Sequence, residues 1–420
     1  MFNCGVIIMN VKQMVKPVGA MSALAVALLA ATPSAAVVPV GVAANGLQAM
    51  RELNLVVLGN MSASDDVEGK TFVAGNMSGQ APLGIGRGSQ GATPSTRRTL
   101  TVGGNVSGTI SINNGSNGGN GQVATNPGVL VGGNVGTLNP NVNGMAIDIG
   151  GSLGGGNLNL SNGQVVNVGG NIGANVGGTN GATLNVGGTV TGARNFNGAT
   201  VNENLGGGWN AASTGQVIAA EAATLTADLN ALSGALRDLA LVNNPSSFVT
   251  GNQGPIFNAV NGGNGYALFN VAGSVFNSGE IAFTQSGGPM PIIVNVSGTT
   301  INWTANAVGG YNASLNPFLI WNFYEATNIN ISRGTFGSIL APLATLANNT
   351  AIEGSVVVRN LIQGGEVHLG TYNGHNDFLD DELTPGGVIP EPSTWMMLIA
   401  GFGLVGVSMR RRATVSVTHS

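Results

Sequence analysis

Val166-Asn167-Val168-Gly169-Gly170-Asn171-Ile172 is followed eighteen residues later by Leu184-Asn185-Val186-Gly187-Gly188-Thr189-Val190, and Ile147-Asp148-Ile149-Gly150-Gly151-Ser152-Leu153 precedes it by nineteen. Each copy alternates apolar and polar residues before the glycines, the pattern of a half-buried strand with Val, Ile and Leu inward and Asn or Asp outward. Glycine then turns a corner where a side chain would clash. The same corner occurs at Leu58-Gly59-Asn60-Met61, Ala74-Gly75-Asn76-Met77, Gly103-Gly104-Asn105-Val106 and Gly132-Gly133-Asn134-Val135. The residue after the glycine therefore steps by 16, 29, 29, 18, 19 and 18. A step near 18 is one coil of a β-solenoid, and the two long steps hold Gly-, Ser- and Asn-rich inserts at 80–98 and 111–128. A recurrent Asn at Asn60, Asn76, Asn105, Asn134 and Asn171 is placed to form a structural ladder from coil to coil, hydrogen-bonding without charge. The competing reading of Gly-Asn tracts is flexible linker, which the regular apolar alternation opposes.

A helix interrupts this pattern. Ser213 followed by Gln216 fits a capping box, and Ile218, Leu225, Leu229, Leu232, Leu236 and Leu239 recur at helical spacing until Asn243-Asn244-Pro245. Residues 214–241 would extend about 42 Å, close to nine coils at about 4.8 Å each, so the helix can lie along the solenoid; a free coiled coil is the alternative. Strands resume at Ile256–Val260, Tyr266–Val271, Ile281–Gln285, Ile292–Val296, Phe318–Phe323 and Ile329–Ile331. Gly337 to Pro342 is then echoed by Gly354 to Arg359 at a step of 17. The expected fold is mainly β: a right-handed parallel β-solenoid (β-helix) with one long α-helix packed alongside.

The 420-residue chain has 69 Gly and 16 Pro, 43% hydrophobic residues and only 8% charged ones, which argues against intrinsic disorder. Lys12 and Lys16 precede the apolar run Met21 to Ala31, and Ser34-Ala35-Ala36 offers small residues at a cleavage site. Residues 1–36 thus read as a signal peptide removed by signal peptidase after Ala36, rather than as a membrane anchor, for which the run is short. The single cysteine, Cys4, leaves with it, so the exported chain forms no disulfide or thiolate metal site. Between the ends, residues 37–389 hold nine basic and seventeen acidic residues, a net charge of −8, which excludes a nucleic-acid partner.

At the other end, Pro390-Glu391-Pro392-Ser393-Thr394-Trp395 leads into an uncharged run and then Arg410-Arg411-Arg412. A short membrane-spanning helix over about 395–409, with the arginines cytoplasmic, follows from the positive-inside rule. Residues 390–412 closely resemble the PEP-CTERM sorting signal in its variant with Trp after the second Pro. That resemblance implies a Gram-negative host, cleavage by an exosortase, transient inner-membrane anchoring after Sec export, and delivery to the cell surface or extracellular matrix. Asn54 to Asn60, Phe323-Tyr324-Glu325-Ala326-Thr327, Gly337 to Pro342 and Gly365-Glu366-Val367-His368 resemble the choice-of-anchor A domain, over about residues 46–375. That family implies an adhesive domain joined to whichever surface anchor its host uses. The fold is also similar to the ice-binding β-solenoids with a helix alongside, although a flat Thr-x-Thr array is missing. Residues 376–389 read as an acidic linker carrying Asp377, Asp380, Asp381 and Glu382.

Catalytic chemistry finds little support. Solenoid hydrolases need clustered carboxylates, and across residues 71–202 Asp148 is the only one, at an outward strand position that reads as solvated. Asp65, Asp66 and Glu68 read as a solvated loop, with calcium ligation left open. His368 and His375 with Asp377 fix no metal geometry. No catalytic residue, metal ligand or cofactor is therefore assigned. The expected function is a surface or biofilm-matrix adhesin or structural protein, binding a matrix exopolysaccharide, a surface protein or itself through a polar solenoid face. A β-helix carbohydrate-active enzyme and an ice-binding protein are the alternatives.

Overall fold

The computed structural model describes residues 40–84, 95–113, 128–142, 144–240, 244–261, 265–376 and 378–379. The chain divides into residues 1–37 and 38–420, and everything described lies in the second. The signal peptide with Ala36, both insert centres, most of the acidic linker and the sorting tail from Pro390 to Arg412 lie outside the described residues.

The fold is mainly β, a parallel β-solenoid with one long helix alongside. One line of parallel strands runs, in spatial order, through Ala267–Ala272, Ile292–Ser297, Leu319–Asn322, the first half of Ser338–Asn348 and the first half of Val356–Gln363. It continues into Leu55–Val57, Thr71–Val73, Leu100–Val102, Gly128–Val131, Ala146–Ile149, Val165–Val168, Thr183–Val186 and Thr200–Asn202. Spatial order thus differs from chain order: the first coil is seated on the last, with Leu55 opposite Val356 and Met61 opposite Leu361. This seam is pinned by Asn54, whose Nδ2 donates to Gly354 O (3.0 Å) and His368 O (2.9 Å) while its Oδ1 accepts from Gly69 N (2.9 Å).

Two helices cover this line of strands. Helix α1 spans Val40–Glu52 and α2 spans Ala211–Arg237. Ile218, Leu225, Leu229, Leu232 and Leu236 of α2 form a core with Leu47 and Met50 of α1 and with the strand residues Val56, Phe72, Ile293, Ile320, Leu340 and Val357. Strands beneath the helices therefore carry mostly apolar residues on both faces, as in Leu55-Val56-Val57, which is buried throughout. Beyond the helices the alternation returns: Asp148, Asn167 and Asn185 point outward between buried neighbours. From Ala211, packed at Gly150, to Leu236, whose carbonyl accepts from Asn295 Nδ2, α2 rises about 38 Å, the span of eight steps between nine rungs.

The helix begins earlier than the Ser213 capping box suggested. Its N-cap is Asn210, and Ser213 Oγ donates back to Asn210 O (3.1 Å) instead of capping an N–H. Helix α1 has no counterpart in the sequence reading: its glycines at 41 and 46 blur the helical signal. Gly46 is there for contact, since a Cβ would fall 2.4 Å from Asp228 O of α2.

Inside the coils, Leu, Val and Ile layers form the second core, and its C-terminal half is filled by aromatic rings. Trp321 meets Trp303, Phe276, Phe257 and Tyr311 edge-on at 5.1–5.8 Å between centroids. A separate four-stranded sheet, Ser247–Thr250, Pro255–Val260, Glu280–Ser286 and Asn306–Gly309, holds the only antiparallel strand pair among the described residues.

Candidate functional site

A second line of parallel strands forms a face built mostly from uncharged polar residues. It runs through Thr300–Trp303, Asn328–Ile331, the second halves of Ser338–Asn348 and Val356–Gln363, then Met61–Ala63, Met77–Leu83, Val106–Ile112, Val135–Pro140, Leu153–Leu160, Asn175–Gly178 and Arg194–Asn195. Period-two alternation sends Leu, Ile, Val and Met into the core and leaves the intervening residues outward. In register across the strands stand Asn302, Asn330, Ala347, Ile362, Ser62, Ser78 and Ser107, and beside them Gln80, Thr109, Thr137 and Gly155. Neighbours repeat about every 4.8 Å across strands and about 6.6 Å along them, giving a two-dimensional grid of hydroxyl and amide groups. Ile362, 55% exposed, is a large apolar point in that grid.

At the corner beside this face, the Asn residues form a chain of side-chain to backbone bonds. Asn60 Oδ1 accepts from Asn76 N, Asn76 Oδ1 from Asn105 N, and Asn105 Oδ1 from Asn134 N, each at 2.8 Å. The chain continues through Ser152 to Asn171 and Thr189, and backwards across the seam, where Asn360 Oδ1 accepts from Asn60 N (2.9 Å). Glycine precedes each rung because a Cβ at Gly104 or Gly133 would lie 2.4 Å from the Asn Oδ1 below. The amide oxygens of this row are thus committed to holding coils together.

Several charged residues are paired. Asp148 is no bare solvated residue: it accepts from Arg98 Nη2 (3.1 Å) and from Asn167 Nδ2 (2.7 Å), heading a row that continues through Asn185 to Asn202. Arg97 bridges Glu52 of α1 (2.8 Å) and Glu221 of α2. Lys70, buried beneath them, donates to Ser95 O (2.8 Å) and Arg97 O (2.6 Å), and burial lowers its pKa to about 8.

Sequence grouping fails at the seam. Glu68 separates from Asp65 and Asp66: it is buried, accepts from Leu369 N (2.7 Å), and has its pKa raised by desolvation. Glu366 takes its place, and Asp65, Asp66 and Glu366 bring one carboxylate oxygen each within 4.8 Å of one another, an arrangement able to hold a hard cation. His368 stands apart from His375, and Asp377 lies outside the described residues. His368 Nδ1 meets Glu353 (2.6 Å) and Nε2 meets Glu366. The Glu353 hydrogen bond, with Glu366 adding to it against desolvation, raises the imidazole pKa to about 9. Glu353 faces His368 across a short parallel pairing at a step of 15, so the 17-residue echo continued by one more coil would have pointed to Gly370 and missed the pair.

Among the described residues no helix is long and apolar enough to cross a membrane; residues 395–409 lie outside them. A family model described as "Putative Ice-binding-like adhesive domain" matches residues 46–126 and 128–369, and one described as a PEP-CTERM protein-sorting motif matches residues 388–412. Comparison with curated proteins and with solved structures returns no match.

Proposed function

The chain belongs to the ice-binding-like adhesive domain family and ends in a PEP-CTERM sorting motif, which makes it an exported surface protein; from that premise we propose a non-enzymatic adhesin or matrix-structural role. In this reading an exosortase removes the tail near Pro390-Glu391-Pro392, and the polar face attaches the protein to a glycan, a surface protein or a second copy of itself. Nine of that face's strands, from Thr300–Trp303 to Asn175–Gly178, contain no charged residue, and this observation carries the reading. A grid of neutral donors and acceptors suits repeating neutral polymers, where many weak bonds act together. Mixed Ser, Ala, Ile, Asn and Gly along the rows disfavour ice as the ligand. Phe378 and Leu379, the last described residues, are buried in the core shared with α1 and α2. The test is attachment of the full chain to a glycan array and to cells, with Ser62→Arg, Ser78→Arg and Ser107→Arg combined; loss of attachment is expected, and unchanged attachment would reject the face.

A further inference from the structure

At the carboxyl end of α2, a cleft of about 330 Å³ opens between the helix and the strands Ala267–Ala272 and Ile292–Ser297, lined among others by Arg237, Asn270, Asn295, Ser297 and Tyr324. Its frame is rigid. Asn322 Nδ2 donates to Ser233 O (2.9 Å) and to Asn295 Oδ1 (2.8 Å), and Asn295 Nδ2 donates to Leu236 O (2.6 Å) and to Asn270 Oδ1 (3.0 Å). This buried row fixes the last turn of α2 to three rungs and orients the exposed amide of Asn270, whose Nδ2 has no hydrogen bond among the described residues. Arg237 spends Nε (2.6 Å) and Nη2 (2.7 Å) on Asp238, leaving Nη1 toward the open side of the pair. The half-buried Tyr324 carries no hydrogen bond on its phenol among the described residues, and Ser297 Oγ makes only a long contact to Val271 O (3.4 Å).

The cleft therefore offers two uncommitted N–H donors, two hydroxyl groups and an aromatic ring on a preorganised frame. Arg237 is neutralised by Asp238, and Glu325, which accepts from Gly298 N (2.6 Å), lies close by on the same loop as Tyr324, so the site has no excess of positive charge for an anion. Neutral polyols match this set: vicinal hydroxyls accept from the amide and guanidinium and pair with the hydroxyls, while the C–H face of a pyranose packs on tyrosine. We infer that this cleft is a binding subsite for one or two residues of a neutral saccharide, separate from the polar strand face and independent of whether that face adheres. Its volume, near the lower end of the range of about 300–1,000 Å³ for ligand pockets, suits a chain end or short branch.

The test is saturation-transfer NMR on the purified full chain with methyl glucoside, methyl galactoside, methyl mannoside, N-acetylglucosamine, cellobiose and lactose, and with glucuronic acid as the charged arm. At least one neutral sugar is expected to bind. Its affinity should fall about tenfold or more in Tyr324→Ala and in Asn270→Ala, stay within about threefold in Tyr324→Phe, and stay unchanged in the Ser62, Ser78 and Ser107 triple variant. Because Asn270 is exposed, its variant keeps the test valid if Tyr324→Ala loses its wild-type circular dichroism. Binding by glucuronic acid alone, no binding by any neutral sugar in the panel, or full binding in the folded alanine variants would overturn the assignment.

Discussion

Replacing Asn54 with alanine removes the clamp that joins the first coil to the last. Asn54 is 1% exposed and makes three side-chain hydrogen bonds, two to carbonyls of the C-terminal coils and one from Gly69 N. His368 O keeps a second partner in Gly354 N (3.4 Å), so the substitution strands Gly354 O and Gly69 N in a dry seam. An orphaned buried polar group costs about 1–3 kcal/mol, so the expected loss is about 3 kcal/mol. Asn105→Ala is the matched comparison, since it removes one exposed bond, to Asn134 N, and should cost about 0.5–1 kcal/mol. Urea unfolding followed by circular dichroism measures both: the Asn54 midpoint should fall several times further than the Asn105 midpoint, with unchanged slopes. Equal shifts, or a smaller one for Asn54, would refute Asn54 as the clamp that holds the first coil on the last.

Stability should also depend on His368. Its folded pKa of about 9 lies above the unfolded value near 6.5, so its contribution is complete below pH 6.5 and is lost as pH rises through 9, by about 3 kcal/mol at most. Lys70, with a folded pKa lowered to about 8, acts in the opposite direction from there upward, so the difference between wild type and His368→Gln isolates the histidine; identical pH profiles would contradict the pairing. Gly46→Ala should lower stability by about 1–3 kcal/mol by pushing α1 from α2, and an unchanged unfolding midpoint would count against that close contact. Intact-mass analysis of protein taken from the cell surface should find Arg410 to Arg412 absent, and their retention would contradict exosortase processing.

What the sequence made legible was whatever depends on local period. The triplets Ile147-Asp148-Ile149, Val166-Asn167-Val168 and Leu184-Asn185-Val186 alternate because one side faces solvent, and their spacing sets the coil. The leucines of α2 recur because one stripe packs on the strands. Spatial order was hidden, since nothing local says that Leu55 sits on Val356 and not at a free end. That ordering, in turn, places α2 across rungs drawn from both ends of the chain and gathers Asp65, Asp66, Glu353, Glu366 and His368 from 300 residues of separation. Helix α1 escaped because Gly46 serves a partner 182 residues away, at a cost to its own helical signal. The polar face was half visible: its alternation could be read in Val106–Ile112 and Leu153–Leu160, but the row from Asn302 to Ser107 exists only once coils are in register.

The most direct measurement of the account is force-resolved attachment of the full chain to its host surface or matrix glycans, comparing the Ser62, Ser78 and Ser107 arginine triple with Asn105→Ala. Three arginines in one row of the uncharged grid should abolish attachment while leaving the circular dichroism of the fold intact, and Asn105→Ala, whose oxygen serves the neighbouring coil, should attach as wild type does. Full attachment by the folded triple variant would contradict adhesion through this face.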